Sequence, residues 1–506
     1  MRKILVLLFI VFLQISGTLG AVCSLSFDSK YSTIKIKDGG TLQVDSPIAQ
    51  WDGTLACASG GTITGGDITF VDGLLDDVGN QFSVSAVYSP SGTITLGGSS
   101  VFRLEAGVCL YAISVSGTNN ILGGSGDIAG TITLQDSSTA LTFQLLGLLA
   151  SDVVMNDGTV ILADDLYLGS RVVFTGNGTV NLSNDSLYLG SEMKSWTGNT
   201  YWSGSGGMLH LNSSISLSGT WTFGGNVEVH GNDQIIYLGD TGNIFVDSNS
   251  SVMFHDLRLE DITDENIQCV DDTAVIMLDA ATWCQSEDSS FRFNTGALRF
   301  IHRVLMCCNG GVFAYSSSET STICSESKLV LDTGFTFSYD PGINQKNLIE
   351  FEAESSTLVL KSASLHSTAT GMQLTKGVLK VKGDSYLSSE KIIVYTTMPQ
   401  YLDEGIMFGS GTAADNFMCN IVGGASLTLS EGTLVYNNTV SNLLLIENKM
   451  SLLHIGQEAR LVLDESLNVA TGGVEFGNHA TLLTKTGKSF VGSIFPLGYI
   501  YRRSKR

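Results

Sequence analysis

Short runs in which every second residue is apolar recur along most of the chain. The clearest copies lie between Gly158 and Asn199, where GTVILADDLYLGSRVVFTGN is followed by GTVNLSNDSLYLGSEMKSWTGN. Each copy contains three such runs, separated by Gly, Asp, Asn and Ser. Apolar residues that alternate with a period of two are typical of β-strands, and the intervening residues are typical of turns. The pattern therefore predicts three short strands in each repeat.

The landmarks of the two copies recur at offsets that grow along the repeat. Gly158 recurs at Gly178, Leu166 at Leu187 and Thr175 at Thr197, so each landmark is displaced by one position more than the landmark before it. Single residues have therefore been inserted between the landmarks, in the turns, where insertions cost least. One repeat cannot bury its apolar face alone, so the repeats must stack as coils of a solenoid.

The two copies also predict which side chains face inward. Val160 and Leu162 are kept as apolar residues in the second copy, whereas Ile161 between them is replaced by Asn181. The flanking pair is expected to face a dry lumen and the middle residue to face solvent. By the same rule Tyr167 and Tyr188 point outward on adjacent coils.

The repeat predicts an all-β protein, a single-stranded parallel β-helix (β-solenoid) with about 21 residues and three short strands per coil. Its abundant Gly and only 5 Pro suit tight corners and unbroken ladders. The predicted boundaries are a signal peptide at 1–20, an N-terminal cap at 21–40, and the β-helix at 41–483 with an irregular excursion near 255–325. A C-terminal cap and basic tail are predicted at 484–506.

The N-terminal segment, 1–20, has the pattern of a secretory signal: Arg2-Lys3, an apolar run from Ile4 to Leu13, and small residues to Gly20. The apolar run is too short to span a bilayer, so no transmembrane anchor is expected after cleavage. We expect the mature chain to be secreted, extracellular or at the cell surface, or periplasmic in a Gram-negative source.

The chain is acidic, with a net charge of −22 at pH 7. The acidic residues are spread along the sequence, so the surface would repel phosphate backbones. Nucleic acid is therefore not an expected partner.

The predicted excursion contains five of the nine cysteines, among them Cys284 and Cys307. These two are separated by close to one coil, so their Cα atoms would lie about 4.8 Å apart and a disulfide could form. The alternative is that the thiols fill the lumen as small apolar groups. Ligand spacings typical of zinc are absent from the sequence, so neither a metal site nor a cofactor is expected.

The three-strand coil resembles the right-handed single-stranded parallel β-helix superfamily, which includes pectin-lyase-like enzymes and autotransporter passenger domains. That resemblance implies the same fold and allows polysaccharide processing. Polygalacturonases of this superfamily carry an Asp-Asp pair and a Gly-His-Gly motif around the scissile bond. This chain has Asp-Asp pairs at Asp76-Asp77, Asp164-Asp165 and Asp271-Asp272 but no Gly-His-Gly, which does not favour such an enzyme.

Aromatic residues near the doubled unit are the candidate contacts for glycans, because exposed rings can stack on the C–H faces of sugars. The candidates are Tyr167, Tyr188, Trp196, Tyr201 and Trp202. The alternative is that these rings cover one another and protect the sheet surface.

The leading hypothesis is a non-catalytic rod that acts in adhesion or as a structural spacer and contacts a glycan or a host or cell-surface protein. The alternative is a polysaccharide lyase or hydrolase with an atypical active site. For that alternative the first residues to suspect are Asp271, Asp272 and His302.

Overall fold

The computed structural model describes residues 112–264, 266–308, 310–339, 349–367, 452–468 and 473–492, with shorter stretches, mostly single strands, elsewhere between 33 and 504. Its described part is a right-handed parallel β-solenoid with about 22 residues per turn and without helices. The predicted all-β parallel solenoid is thereby confirmed. The predicted signal peptide, 1–20, lies outside the described residues.

Strands of successive coils pair in parallel and form ladders along the rod axis. Ladder 1 consists of Thr33–Ile36, Thr54–Cys57, Leu74–Leu75, Val101–Arg103, Asn120–Gly124, Ala140–Leu145, Thr159–Leu162, Gly178–Ser183, the start of Thr200–His210, the middle of Ile215–Tyr237, Gly242–Val246 and Ile267–Cys269. Ladder 2 consists of Val108–Cys109, Asp127–Ile128, Leu148–Leu149, Leu166–Leu168, Ser186–Tyr188, the end of Thr200–His210, a later part of Ile215–Tyr237, the start of Ser251–Ile262, Val275–Asp279, Ala297–Ile301, Thr322–Ile323 and Glu350–Phe351.

The third side of the coil is formed by ladder 3 in the first part of the rod and by ladder 4 further along. Ladder 3 consists of Ile48–Trp51, Ile68–Val71, Thr93–Gly97, Ala112–Val115, Ile132–Leu134, Val153–Val154 and Phe174–Thr175, followed by Ser195–Thr197, which pairs with the start of Ile215–Tyr237. Ladder 4 consists of the ends of Ile215–Tyr237 and Ser251–Ile262, then Thr282–Gln285, Arg303–Cys307, Lys328–Leu331, Thr357–Lys361, Val378–Lys382, Pro399–Leu402, Thr433–Tyr436, Arg460–Leu463, Thr481–Thr484 and Tyr501–Ser504.

The remaining strands belong to the second half of the rod or form short pairs. Ladder 5 consists of Ser290–Phe293, Val312–Tyr315, Thr336–Tyr339, Ser364–Ser367, Ser385–Ser388, Ile406–Phe408, Cys419–Ile421 and Leu444–Ile446. Ladder 6 consists of Met372–Leu374, Lys391–Val394, Ser426–Leu429, Leu452–Ile455, Gly473–Phe476 and Ile494–Pro496. Thr41–Val44 pairs with Thr62–Gly65, and Leu467–Asn468 pairs with Phe490–Val491.

The doubled sequence unit stacks as its repeat predicts. Val160 pairs with Val180, and Leu166 pairs with Leu187. Further along the same coil, the backbone N–H of Asn199 donates to the Asn177 side chain on the neighbouring coil. The strands therefore stay in register while the corners absorb the extra residues.

The lumen is filled with apolar side chains. Val160, Leu162, Leu166, Leu168, Val172 and Phe174, the alternate positions of the first copy, are all at most 6% exposed. Burying each such side chain contributes about 1.5–3 kcal/mol. The core is therefore a continuous dry column along the rod.

Tryptophan side chains also fill the lumen, and the positions of two of them differ from the sequence prediction. Trp196 and Trp202 were expected to face outward, but they are 1% and 0% exposed and pack with Trp221 at ring-centroid distances of 5.9 and 5.5 Å. The strand alternates so that Thr200 and Trp202 face inward and Tyr201 faces outward. Both tryptophans occupy inward strand positions, Trp196 in the middle of Ser195–Thr197 and Trp202 beside the outward Tyr201, so the prediction that they are exposed was wrong.

Inside the predicted irregular excursion near 255–325, described strands continue to pair from coil to coil. His255 pairs with Asp279, and Asp279 pairs with Ile301, in unbroken parallel register. The coil length varies here because residues are added at corners, and the step from Lys328 to its partner Thr357 is longer than any step in the doubled unit. Paired strands also occur inside both predicted caps, at Thr33–Ile36 and Tyr501–Ser504.

We predict that the stability of the rod depends on the lumen far more than on its outer rings. Trp221→Ala should lower the local free energy of unfolding by about 3–5 kcal/mol, because it leaves a cavity in the column. The control, Tyr167→Ala, removes a ring that is 45% exposed and should cost under about 1.5 kcal/mol. Hydrogen exchange of the flanking strands measures both, and equal losses would contradict the assignment of the lumen.

Candidate functional site

A column of stacked rings runs along the outer face of ladder 2. It consists of Tyr167, Tyr188, His210, His230 and His255, which occupy the same position on successive coils. Neighbouring ring centroids are 4.4, 4.3, 4.9 and 5.0 Å apart in that order. We call this set the ring column.

The rings of this column cover one another's faces. Tyr188 lies nearly parallel to both Tyr167 and His210, with interplanar angles of 5°. The angle opens to 28° between His210 and His230 and to 53° between His230 and His255. Both faces of the Tyr188 ring are therefore occupied, and its edge is what remains for solvent. A sugar that needs a free ring face cannot stack on Tyr188 in this arrangement.

A buried carboxylate ends the column. Asp279 is next in register after His255, and its side chain is 9% exposed. One carboxylate oxygen contacts His255 Nδ1 at 2.8 Å, and the other contacts His302 Nδ1 at 2.5 Å. His302 has a φ of 52° at the corner after the strand, and its backbone N–H donates to Ser327 Oγ at 2.8 Å. Two imidazoles, one on the coil before Asp279 and one on the coil after it, thus share one carboxylate.

The three histidines of the column have different surroundings. His230 Nε2 contacts the Glu228 carboxylate at 2.9 Å. Among the described residues, none hydrogen-bonds the buried Nε2 of His210. Burial lowers the pKa of His210, and the neighbouring His230 lowers it further, while the more distant Asp165 and Glu228 act in the opposite direction. Charging His210 therefore costs free energy in the folded protein.

Tyr201 lies apart from the column, on the outer face of ladder 1. Its hydroxyl donates to Asp247 Oδ2 at 3.1 Å, and the side chain is partly exposed. The end of the ring lies over Gly224, where an added Cβ would be 2.1 Å from the tyrosine oxygen. Glycine at this position lets the ring lie against the sheet.

A polar cleft lies further along the same face. Tyr201, Thr222, Phe245 and Gln268 are successive residues in register, and Gln268 lines the cleft. The cleft has a volume of about 380 Å³, and its other polar lining residues are Asp264, Arg292, Asn294 and Thr295.

Side chains join the two coils on either side of this cleft. The Arg292 backbone N–H donates to Asp264 Oδ1 at 3.1 Å, and Thr295 Oγ1 donates to the Cys269 carbonyl at 2.6 Å. These contacts connect the coils beside the cleft, at the step from Ile267–Cys269 to Ser290–Phe293.

The residues suspected of catalysis are not brought together. Asp271 and Asp272 lie at the corner before Val275–Asp279, whereas His302 contacts Asp279 at the other end of that strand. A strand of this length spans about 16 Å. Asp271 accepts from the backbone N–H and hydroxyl of Thr273, and hydrogen bonds from Ser248 and Thr273 lower its pKa. These carboxylates shape a turn.

The cysteines fall into two groups. Cys284 and Cys307 are joined by a disulfide across adjacent coils, with Cα atoms 4.8 Å apart, and both side chains are half-buried on the outer side of ladder 4. Cys109, Cys269 and Cys308 are buried, and burial raises the pKa of Cys269 to about 12. Outward cysteines on neighbouring coils thus pair, and inward ones fill space.

No protein-family model, curated protein or solved structure matches this chain. In the part of the chain that the structure describes, no three or more His, Cys, Asp or Glu side chains are grouped to hold a metal ion. None of the described elements is a helix with the length and hydropathy to cross a bilayer. The site must therefore be interpreted from its own geometry.

Sequence reasoning identified Tyr167 and Tyr188 but missed the histidines that continue their column. The steps from Tyr188 to His210, from His210 to His230 and from His230 to His255 differ in length. A fixed repeat length does not connect these positions. Following each strand's own apolar pair from coil to coil would have found them.

We predict that peptide mapping under non-reducing conditions recovers Cys284 linked to Cys307, because only this described pair faces outward on adjacent coils. Cys269 should react with an alkylating reagent only after unfolding, since it is buried. Cys284→Ser should leave Cys307 reactive in the folded protein. A native protein in which Cys307 is already alkylated would contradict the pairing.

Proposed function

We propose that this protein is a secreted or surface-exposed, non-catalytic rod that acts in adhesion or as a structural spacer. The observation that carries the proposal is the continuous stack of coils on a dry apolar lumen. Such a core fixes the length of the rod and leaves its outer columns free to carry contacts. This arrangement suits a protein that holds a surface at a set distance.

The surroundings of the acidic residues support a role without catalysis. A hydrolase that acts on glycosides needs two carboxyl groups facing one bond, about 5–10 Å apart. Asp271 and Asp272 are instead engaged by turn residues, with Asp272 accepting from the Gly296 N–H at 3.3 Å. The acidic charge serves solubility and keeps anionic polymers away.

The outer face of ladder 1 is the proposed contact surface for a glycan. Tyr201 offers a ring that lies against the sheet, and the polar cleft offers carboxylate, amide, guanidinium and hydroxyl groups three coils further on. Three coil steps are about 14 Å, so an oligosaccharide could contact both. The ring column on ladder 2 is less suited to sugar stacking because its inner faces are covered.

The alternative function, a polysaccharide lyase or hydrolase, rests on one observation. His302 and the buried Asp279 form a carboxylate–imidazole pair, an arrangement that orients a general base. A base of this kind would use the exposed side of His302, whose side chain is 70% exposed. In an enzyme that uses His302 as its general base, Asp271 and Asp272 would not be catalytic residues.

We predict no turnover when the purified protein is assayed on a panel of uronic-acid and neutral polysaccharides. The reason is that the suspected carboxylates are already engaged: Asp271 and Asp272 accept hydrogen bonds from Thr273 and Gly296, and Asp279 contacts two histidines. His302→Ala serves as the control variant. Turnover by the wild-type protein that is lost in His302→Ala would establish the alternative and overturn the non-catalytic proposal.

We also predict that a glycan array detects binding by the wild-type rod, and that Tyr201→Ala weakens it at least about tenfold, the loss expected when one stacking ring is removed. Gly224→Ala should have a similar effect, because the new Cβ displaces the ring. Tyr167→Ala, an exposed tyrosine on another face, is the matched control and should bind normally. Equal loss in Tyr167→Ala and Tyr201→Ala, or no binding by the wild type, would argue against this contact surface.

A further inference from the structure

Three consecutive coils carry a histidine at the same outward position, and a fourth histidine completes the group through Asp279. His210 and His230 are 4.9 Å apart between ring centroids, and His230 and His255 are 5.0 Å apart. His302 reaches the same carboxylate as His255. Four of the seven histidines of the protein therefore lie in one group.

The acidic partners of this group are fewer than its histidines. Glu228 contacts His230, and Asp279 is shared by His255 and His302. With all histidines neutral the group carries two negative charges, and with all four protonated it carries two positive charges. Protonation of all four histidines therefore reverses the sign of the group's net charge.

His210 is the histidine of this group whose positive charge would be least balanced by a nearby carboxylate. Tyr188 and His230 cover its two faces at 4.3 and 4.9 Å, and none of the described residues accepts from its buried Nε2. The carboxylates that influence it, Asp165 and Glu228, act from a distance, and Glu228 is already bonded to His230. A proton on His210 would thus lie close to the His230 ring, 4.9 Å away between ring centroids, with no described acceptor for the buried Nε2.

We propose that the ring column is a proton-operated switch: below about pH 6, protonation of His210 separates its ring from His230 and loosens coils 186–255, while the rest of the rod stays stacked. At the Asp279 end of the group, Cys324 interacts with Glu352, Arg299 and Asp279. The charged and titratable groups that act on His210 are His230, Asp165 and Glu228. This inference goes beyond the rod function and does not depend on it.

The sign of the effect follows from the surroundings of His210. Its pKa in the folded protein is below the value of about 6.5 for an unfolded chain, so the folded state binds fewer protons. His210 therefore contributes its full stability at pH values above its pKa in the unfolded chain. That contribution is lost as the pH falls from the unfolded pKa towards the lower pKa of His210 in the folded protein. His454 is the natural comparison, because its Nδ1 contacts Glu475 at 2.8 Å and no described histidine stacks on it.

The test is hydrogen exchange at pH 7.5 and pH 5.5, corrected for the intrinsic dependence of exchange on pH. Wild-type amides in 186–255 are expected to lose about tenfold protection at pH 5.5, as a local opening would produce. Residues 452–484, which contain His454, should keep their protection. His210→Phe keeps a ring in the stack but cannot be protonated, so it should abolish the loss, and His454→Gln should leave it unchanged.

Three outcomes would overturn the proposal: unchanged protection of wild-type 186–255 at pH 5.5, an equal loss along the whole rod, or a loss that persists in His210→Phe. If His210→Phe does not fold at pH 7.5, NMR titration of the wild-type imidazoles decides. A His210 signal that titrates below the ordinary range, together with the loss of protection, supports the switch. A His210 that titrates at or above the ordinary range rejects it.

Discussion

The parallel stacking of each coil on the next, with apolar residues at the same inward positions, is the constraint on which the structure depends. Val160 on Val180 and Leu166 on Leu187 show it within the doubled unit. Each strand satisfies its backbone hydrogen bonds through the coils on either side of it, and its alternate side chains fill the lumen. Changes of coil length are therefore confined to the corners, as in the long coil that brings Thr357 into register with Lys328.

The same constraint determines how chemistry is arranged outside the lumen. Outward residues need not be apolar, but they lie in columns in which residues on successive coils are about 4.8 Å apart. Similar side chains at the same position on successive coils therefore stack. The ring column is such a stack, and Asp279 ends it by bonding two histidines. On ladder 1, Gly224 gives Tyr201 room to lie against the sheet, which produces a surface of a different kind. The same coil geometry thus produces both the ring column, whose rings cover one another, and the partly exposed ring of Tyr201.

Much of the fold could be predicted from the sequence because the doubled unit shows both the strands and their inward positions. The orientation of Tyr167 followed from Leu166 and Leu168 on either side of it. Trp202 could not be placed in this way, because Thr200, Tyr201 and Trp202 are all compatible with a strand and no apolar pair flanks the tyrosine. The pairing of His255, Asp279 and Ile301 on successive coils could not be predicted, because added corner residues hide the period. The contact of Asp279 with His302 depends on a left-handed corner residue that no periodicity reveals.

The most direct test of the account is the distance between two positions that are far apart in sequence and aligned along the rod. Ala140 and Gln268 occupy one outward column and are separated by six successive register steps. Six steps correspond to about 29 Å. Nitroxide labels attached at these two positions through non-natural amino acids should give a narrow distribution near that value, after allowance for the label arms. A broad distribution, or a peak beyond about 45 Å, would contradict the in-register stack.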